Sequence, residues 1–169
     1  MTDPDITDLC FLLCKFDLYG LQIGGWEDQE GIKRAAKEIV SELIAQEESA
    51  GIKSDRIVVG GFSQGGALAL YSALTLDKPL AGAMSLSSWL PIASDFPKAL
   101  SVNKNIPILV CHGDSDTVVT PQVGLRSRTR MAEFAPNITS KIYRGVGHSS
   151  SQEEMMDVRD FIRKCLPNL

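Results

Sequence analysis

Apolar positions along the chain switch between a helical and an extended period from residue 27 onward. Ile32, Ala35, Ile39, Leu43 and Ile44 fall at three- and four-residue steps, while Lys33, Arg34, Lys37 and Glu38 lie mostly off that stripe. The pattern predicts an amphipathic helix over 28–50, with Gly51 as its C′ residue. Short apolar runs at 56–62, 80–86, 106–111 and 138–143 predict strands, and helices are predicted over 64–76, 122–134 and 152–166. The last helix is expected to bury Met155, Val158, Ile162 and Cys165. Strands alternating with helices predict an α/β fold, a mainly parallel sheet flanked by helices. The run Leu9 to Cys14 is continuously apolar, and periodicity leaves a buried strand and a short buried helix both open. Residues 91–105 form the longest irregular stretch, a segment of the kind that serves as a lid or rim.

Composition narrows the function classes. At 169 residues the chain is one domain with room for a single core, and 44% hydrophobic and 22% charged residues are ordinary for a globular protein. A formal net charge of −4 and no basic face argue against nucleic acid as a partner. No apolar run approaches the ~20 residues of a membrane span, so no stable membrane insertion is expected. The acidic start, Met1 to Asp8, lacks the basic region of a secretory signal, and neither a myristoylation glycine nor a prenylation box is present. Cys10, Cys14, Cys111 and Cys165 show no paired metal-ligand spacing and are expected as reduced thiols in a cytoplasmic protein. Lipidation of Cys10 or Cys14 is the one route by which the sequence offers transient membrane contact.

The chemistry gathers around Gly61-Phe62-Ser63-Gln64-Gly65, which matches the G-x-S-x-G nucleophile elbow. Ile57-Val58-Val59 before it reads as a buried strand and Gly66-Ala67-Leu68-Ala69-Leu70 after it as a helix. A sharp strand-to-helix turn needs small residues where the two backbones meet, and Gly60, Gly61, Gly65, Gly66 and Ala67 provide them. The same glycines do not form a phosphate cradle: no Gly-Lys-Ser/Thr follows, and the spacing is wrong for a dinucleotide fingerprint. A serine nucleophile needs a base, and the base needs an acid to orient it. His148, in Gly145-Val146-Gly147-His148-Ser149 between a strand and the last helix, is the expected base. His112, at a strand end, is expected to be structural. Asp114 and Asp116 both follow that strand; Asp116 lies further out on the loop and is favoured as the acid. Trp89 and Leu90, after another strand, either line an apolar acyl site or pack against the core.

Together these segments resemble the acyl-protein thioesterase, lysophospholipase and carboxylesterase family of small α/β hydrolases. The resemblance rests on 27–32, Arg56 to Ala67 with its Gly-Phe-Ser-Gln-Gly-Gly block, Ser87-Ser88-Trp89-Leu90-Pro91, Cys111 to Asp116, and Gly147 to Asp157. It implies a catalytic triad of Ser63, Asp116 and His148, with Gln64 as an oxyanion donor and Trp89 and Leu90 as substrate-binding residues. It implies no cofactor or metal. The implied substrates are S-acylated proteins or lysophospholipids, cleaved through an acyl-Ser63 intermediate. The alternative is a catalytically weak relative that binds acyl chains or partners.

The match breaks at the N-terminus, which divides the chain into an atypical segment, 1–26, and a hydrolase domain, 27–169. Family members begin with several more strands, and an early loop carries a His-Gly-x-Gly-Asp motif that completes the oxyanion hole. No such motif precedes Ser63, and the family's Trp-Phe-Asp reads Lys15-Phe16-Asp17. The early strands of the family fold are therefore expected to be missing. The strand leading to Ser63 would then be a sheet edge, with 9–14 available to cover it in part. The missing motif predicts turnover well below that of a full-length relative, with thioesters suffering less than oxygen esters because a thiolate leaves more readily. Grafting the family's N-terminal strands and loop ahead of Phe16 is expected to raise kcat by about 10²–10³ in steady-state kinetics. Equal turnover before and after grafting would show that the backbone at Gly20 or Gly24-Gly25 supplies the donor, or that none is needed.

Overall fold

The computed structural model describes residues 9–11 and 27–167. Among these residues five parallel strands cross one sheet in sequence order: β1 (Leu9–Phe11), β2 (Val58–Phe62), β3 (Gly82–Leu86), β4 (Ile108–Gly113) and β5 (Ile138–Tyr143). Between and after them lie α1 (Gln29–Ala35), α2 (Ser41–Ser49), α3 (Gln64–Thr75), α4 (Pro121–Ala132) and α5 (Gln152–Cys165). Every crossover steps in the same direction, so the right-handed rule places the connecting helices on one face of the sheet. There Ile32, Val40 and Ile44 from α1 to α2, Leu68 and Leu70 from α3, and Met131 from α4 share a cluster with Val59, Ala83, Ile108 and Val110. The opposite strand positions, Val58, Met84, Leu86, Leu109 and Cys111, pack against Val158 and Phe161 of α5. Helix α3 is buried from Gly65 to Leu74, as its unbroken small and apolar sequence requires.

Four expectations change against this structure. The predicted first helix is continuous but contains a π-helical turn, Ala36–Val40, between α1 and α2. Its buried stripe runs Ile32, Ala36, Val40, Ile44, every fourth residue, and the wide turn absorbs the drift that a 3.6-residue period would accumulate. Ile39, expected inside, is therefore 42% exposed. In α5 the buried residues are Glu154, Val158 and Phe161, and Met155 faces outward. Strand β2 is not an edge, because β1 pairs with it from Leu9↔Val58 to Phe11↔Gly60. Nor is 91–105 a loose lid: Ile92, Phe96 and Asn103 are buried, and the Asn103 side chain accepts from Leu80 N–H and donates to the Leu76 and Lys78 carbonyls. Cys111 and Cys165 are free thiols, while Cys14 and the Cys10 side chain lie outside the described residues.

Helix α5 starts with a capping box: Ser151 Oγ accepts from the Glu154 N–H, and Glu154 Oε2 accepts from the Ser151 N–H. The Glu154 side chain is buried and its Oε1 has no partner among the described residues. Burial pushes its carboxyl above the usual range, against the lowering effect of the Ser151 N–H. A carboxyl raised in the folded state contributes stability below its ordinary pKa and loses that contribution as pH rises. Glu154→Gln, which keeps the cap but cannot ionise, is thus expected to melt higher than the parent at about pH 7.5. Thermal melts should show that difference shrinking toward zero as the pH is lowered to about 4.

Candidate active site

The elbow is built by contact between strand and helix. Strand β2 ends at Phe62, Ser63 follows with φ 54° and ψ −123°, and α3 begins at Gln64. Positive φ on a non-glycine residue costs roughly 1–3 kcal/mol and persists only where its surroundings enforce it. Here the Ser63 N–H donates to the Leu86 carbonyl (2.9 Å), and the Ser63 carbonyl accepts from Ala67 N–H (3.1 Å) and Ser88 Oγ (2.5 Å). A Cβ on Gly66 would meet the Gly61 carbonyl oxygen at 2.7 Å and Ser88 Cβ at 2.8 Å, so this crossing admits only glycine. The glycines are legible in the sequence; Ser88, two residues past β3 and within the Ser87-Ser88-Trp89-Leu90-Pro91 block, was given no role there.

The other two expected residues come to the same point. His148 Nδ1 lies 2.8 Å from Asp116 Oδ2, and His148 Nε2 lies 3.1 Å from Ser63 Oγ. Asp116 has a fully buried carboxylate. Burial works to raise its pKa, yet it is held below the usual range by bonds from His148 and from the Val118 and Val119 N–H groups, each 2.9 Å from Oδ1. An ionised carboxylate only accepts, so His148 Nδ1 carries the proton and Nε2 accepts from the Ser63 hydroxyl. The Phe62 ring lies against the imidazole with centroids 4.7 Å apart.

Two adjoining loops are stitched together to hold this alignment. Asp114 Oδ1 accepts from Gly145 N–H (2.7 Å) and Ser115 Oγ (2.8 Å), and the Ser115 N–H donates to the Val146 carbonyl (3.0 Å). The Gly145 and Ser115 bonds hold the exposed Asp114 carboxyl below its ordinary range. A Cβ on Gly113 would collide with the Val146 carbonyl, so the end of β4 and the His148 loop touch backbone to backbone. Asp114 thus fastens the loop that carries His148, while Asp116 reaches the imidazole itself.

Trp89 and Leu90 are both buried in the helix-covered core cluster. The Trp89 indole N–H donates to Glu27 Oε1 (3.2 Å), Glu27 Oε2 accepts from Ile92 N–H (2.9 Å), and the Leu90 N–H donates to Ser127 Oγ (2.9 Å). Gln64 is the first residue of α3, directly after Ser63. Lys15-Phe16-Asp17, Gly20 and Gly24-Gly25 lie outside the described residues.

Comparison with known proteins identifies the family and the fold. Acyl-protein thioesterase 1 of Neurospora crassa is 40% identical over 85% of this chain and 59% of its own length. The protein of the same name from Schizosaccharomyces pombe is 40% identical over 89% of this chain and 68% of its own. The chain thus spans about three fifths of the Neurospora protein. Among solved structures, Zea mays acyl-protein thioesterase 2 superposes with a TM-score of 0.79 at 34% identity, covering 89% of this chain and 71% of that one. Arabidopsis thaliana SOBER1 gives 0.80 at 32% identity, over 86% and 69% respectively. Residues 15–166 match the phospholipase/carboxylesterase family. That span takes in every element that brings Ser63, Asp116 and His148 together, and the chain belongs to this family of α/β hydrolases.

Proposed function

We propose that this chain is a serine hydrolase that removes long-chain acyl groups from protein cysteines, with lysophospholipids and simple carboxylesters as related substrates. The observation that carries the reading is the Ser63–His148–Asp116 relay, with its 3.1 Å and 2.8 Å spacings and its buried, ionised acid. Similarity to proteins named acyl-protein thioesterase supports the thioester as the bond cleaved.

In this mechanism His148 Nε2 takes the Ser63 proton as Oγ attacks the acyl carbon. The backbone N–H of Gln64, at the positive end of the α3 dipole, faces the charge that develops on the carbonyl oxygen. Collapse of the tetrahedral intermediate breaks the carbon–sulfur bond, and His148 returns the proton to the leaving thiolate. Water, deprotonated by the same imidazole, then frees the fatty acid from acyl-Ser63. Asp116 holds His148 in the tautomer that both steps need. Trp89 and Leu90 are assigned to the acyl channel by the family resemblance, their side chains being packed in the core cluster, and the reading calls for no cofactor. On this reading the protein works in the cytoplasm, with passing contact at membranes where S-acylated proteins reside.

A fluorophosphonate probe tests the nucleophile directly. Ser63→Ala is expected to abolish both labelling and thioester hydrolysis while the circular dichroism stays unchanged; labelling at the parent level would remove Ser63 from the mechanism.

Separating the two acids requires paired variants. Asp116→Asn is expected to lower kcat on the order of 10⁴-fold, because an amide no longer selects the productive His148 tautomer. Asp114→Asn should act mainly on the melting temperature by loosening the Gly145 turn. Loss of turnover in a well-folded Asp114→Asn protein, with Asp116→Asn active, would reverse the assignment.

A further inference from the structure

We infer that His112 is a positioning residue for the acid of the relay, setting the Asp116 carboxylate toward His148 through the Val119 carbonyl. The inference builds on the proposed hydrolase mechanism, although its spectroscopic test stands apart from activity.

His112 is the penultimate residue of β4, opposite Ile142 of β5, and it is 2% exposed. Its Nε2 lies 2.8 Å from the Val119 carbonyl oxygen and 3.6 Å from Asp116 Oδ2. A carbonyl and a carboxylate both accept, so the proton between them belongs to His112 Nε2. Val119 passes that restraint on: its own N–H donates to Asp116 Oδ1 at 2.9 Å, beside the Val118 N–H at 2.9 Å. The turn from Asp116 to Val119 is therefore clamped from both sides, by the carboxylate at its start and the imidazole behind its end.

The far edge of the ring is closed by α4. A Cβ on Gly124 would lie 2.5 Å from His112 Nδ1, so the helix backbone bears directly on the imidazole and fixes its plane. Nδ1 has no hydrogen-bond partner among the described residues. An apolar side chain would fill this volume without leaving a buried nitrogen unpaired, so packing alone gives no reason for histidine. What the imidazole adds is one N–H aimed at the turn that orients the acid. Asp116 Oδ2 then sits between two imidazole N–H groups, bonded to His148 at 2.8 Å and within the field of His112 at 3.6 Å.

Three substitutions separate positioning from packing. His112→Gln places an amide N–H near the Nε2 position, His112→Asn is too short to reach Val119, and His112→Leu fills the space without a donor. If His112 positions the acid, Asn and Leu lower kcat by ~10²-fold with KM unchanged, the scale of a displaced catalytic group, and Gln restores kcat to within a few-fold of the parent. Parent-level kcat in folded Asn or Leu variants, or Gln no better than Asn, would overturn it. Two NMR measurements need neither turnover nor the Asn and Leu variants. In the parent protein, ring ¹⁵N shifts of His112 must place the proton on Nε2; a proton on Nδ1 overturns the proposal. The downfield His148–Asp116 proton should persist in His112→Gln, and its loss there overturns the proposal as well. A parent protein that neither turns over thioesters nor labels at Ser63 would refute the proposed function, and these spectra would still decide the role of His112.

Discussion

A Cβ on Gly61 would lie 2.7 Å from the Gly66 nitrogen, and one on Gly66 would lie 2.7 Å from the Gly61 carbonyl oxygen. Strand β2 can run straight into α3 only because neither atom is there. That contact forces Ser63 to φ 54°, turns its side chain out at the carboxyl edge of the sheet, and sets the helix N-terminus beside it. The conformational cost is of the order of 1–3 kcal/mol, and it is met by burial. Ten consecutive residues of α3, Gly65 to Leu74, are buried between the sheet and α1 to α2, so the helix has no cheaper place to go.

The second constraint is a buried carboxylate. An isolated charge at the position of Asp116 would be too costly to keep ionised, yet the group stays ionised because every direction around it offers a donor. Two N–H groups of its own turn hold one oxygen, and His148 holds the other. Satisfying the carboxylate and aligning the base are thus one event. The neighbouring Asp114 does comparable work outside the core, binding Gly145 N–H so that the loop bearing His148 is tied to the end of β4.

The sheet gives these loops a common edge. All five strands run parallel and in sequence order, so the ends of β2, β3 and β4 open on the same side, and the return from β5 into α5 passes over them. Ligands in open α/β folds bind beyond the carboxyl ends of the strands, and the relay lies there. Among the described residues one helix, α5, supports the second face of the sheet, and its capping box fixes where it begins, four residues after His148.

Much of this was legible from residue order. Strand 138–143 coincides with β5, and the helices over 64–76 and 152–166 match α3 and α5 to within a residue, because each has an unambiguous apolar period or a turn signal beside it. The elbow was legible because its glycines answer a local steric demand; the motif order pointed to Ser63 and His148 as candidates but left Asp114 beside Asp116, and the contact of Asp116 with His148 separates the two. Periodicity failed where neighbours decided the outcome. The π-helical turn moved Ile39 out and Val40 in, and Met155 gave way to Phe161 on the face that meets β3 and β4. No local signal tells that Ser88 holds the Ser63 carbonyl, that Glu27 holds Trp89, or that His112 touches the Asp116 turn through Val119. The sequence alone thus determined the element order, the elbow and the Ser, Asp and His candidates for the site, which depend on residue type and short spacings. Which donors surround the buried acid, and how tightly the loops from different strands are bound, depended on atoms brought together from distant parts of the chain, and only the tertiary structure decided them.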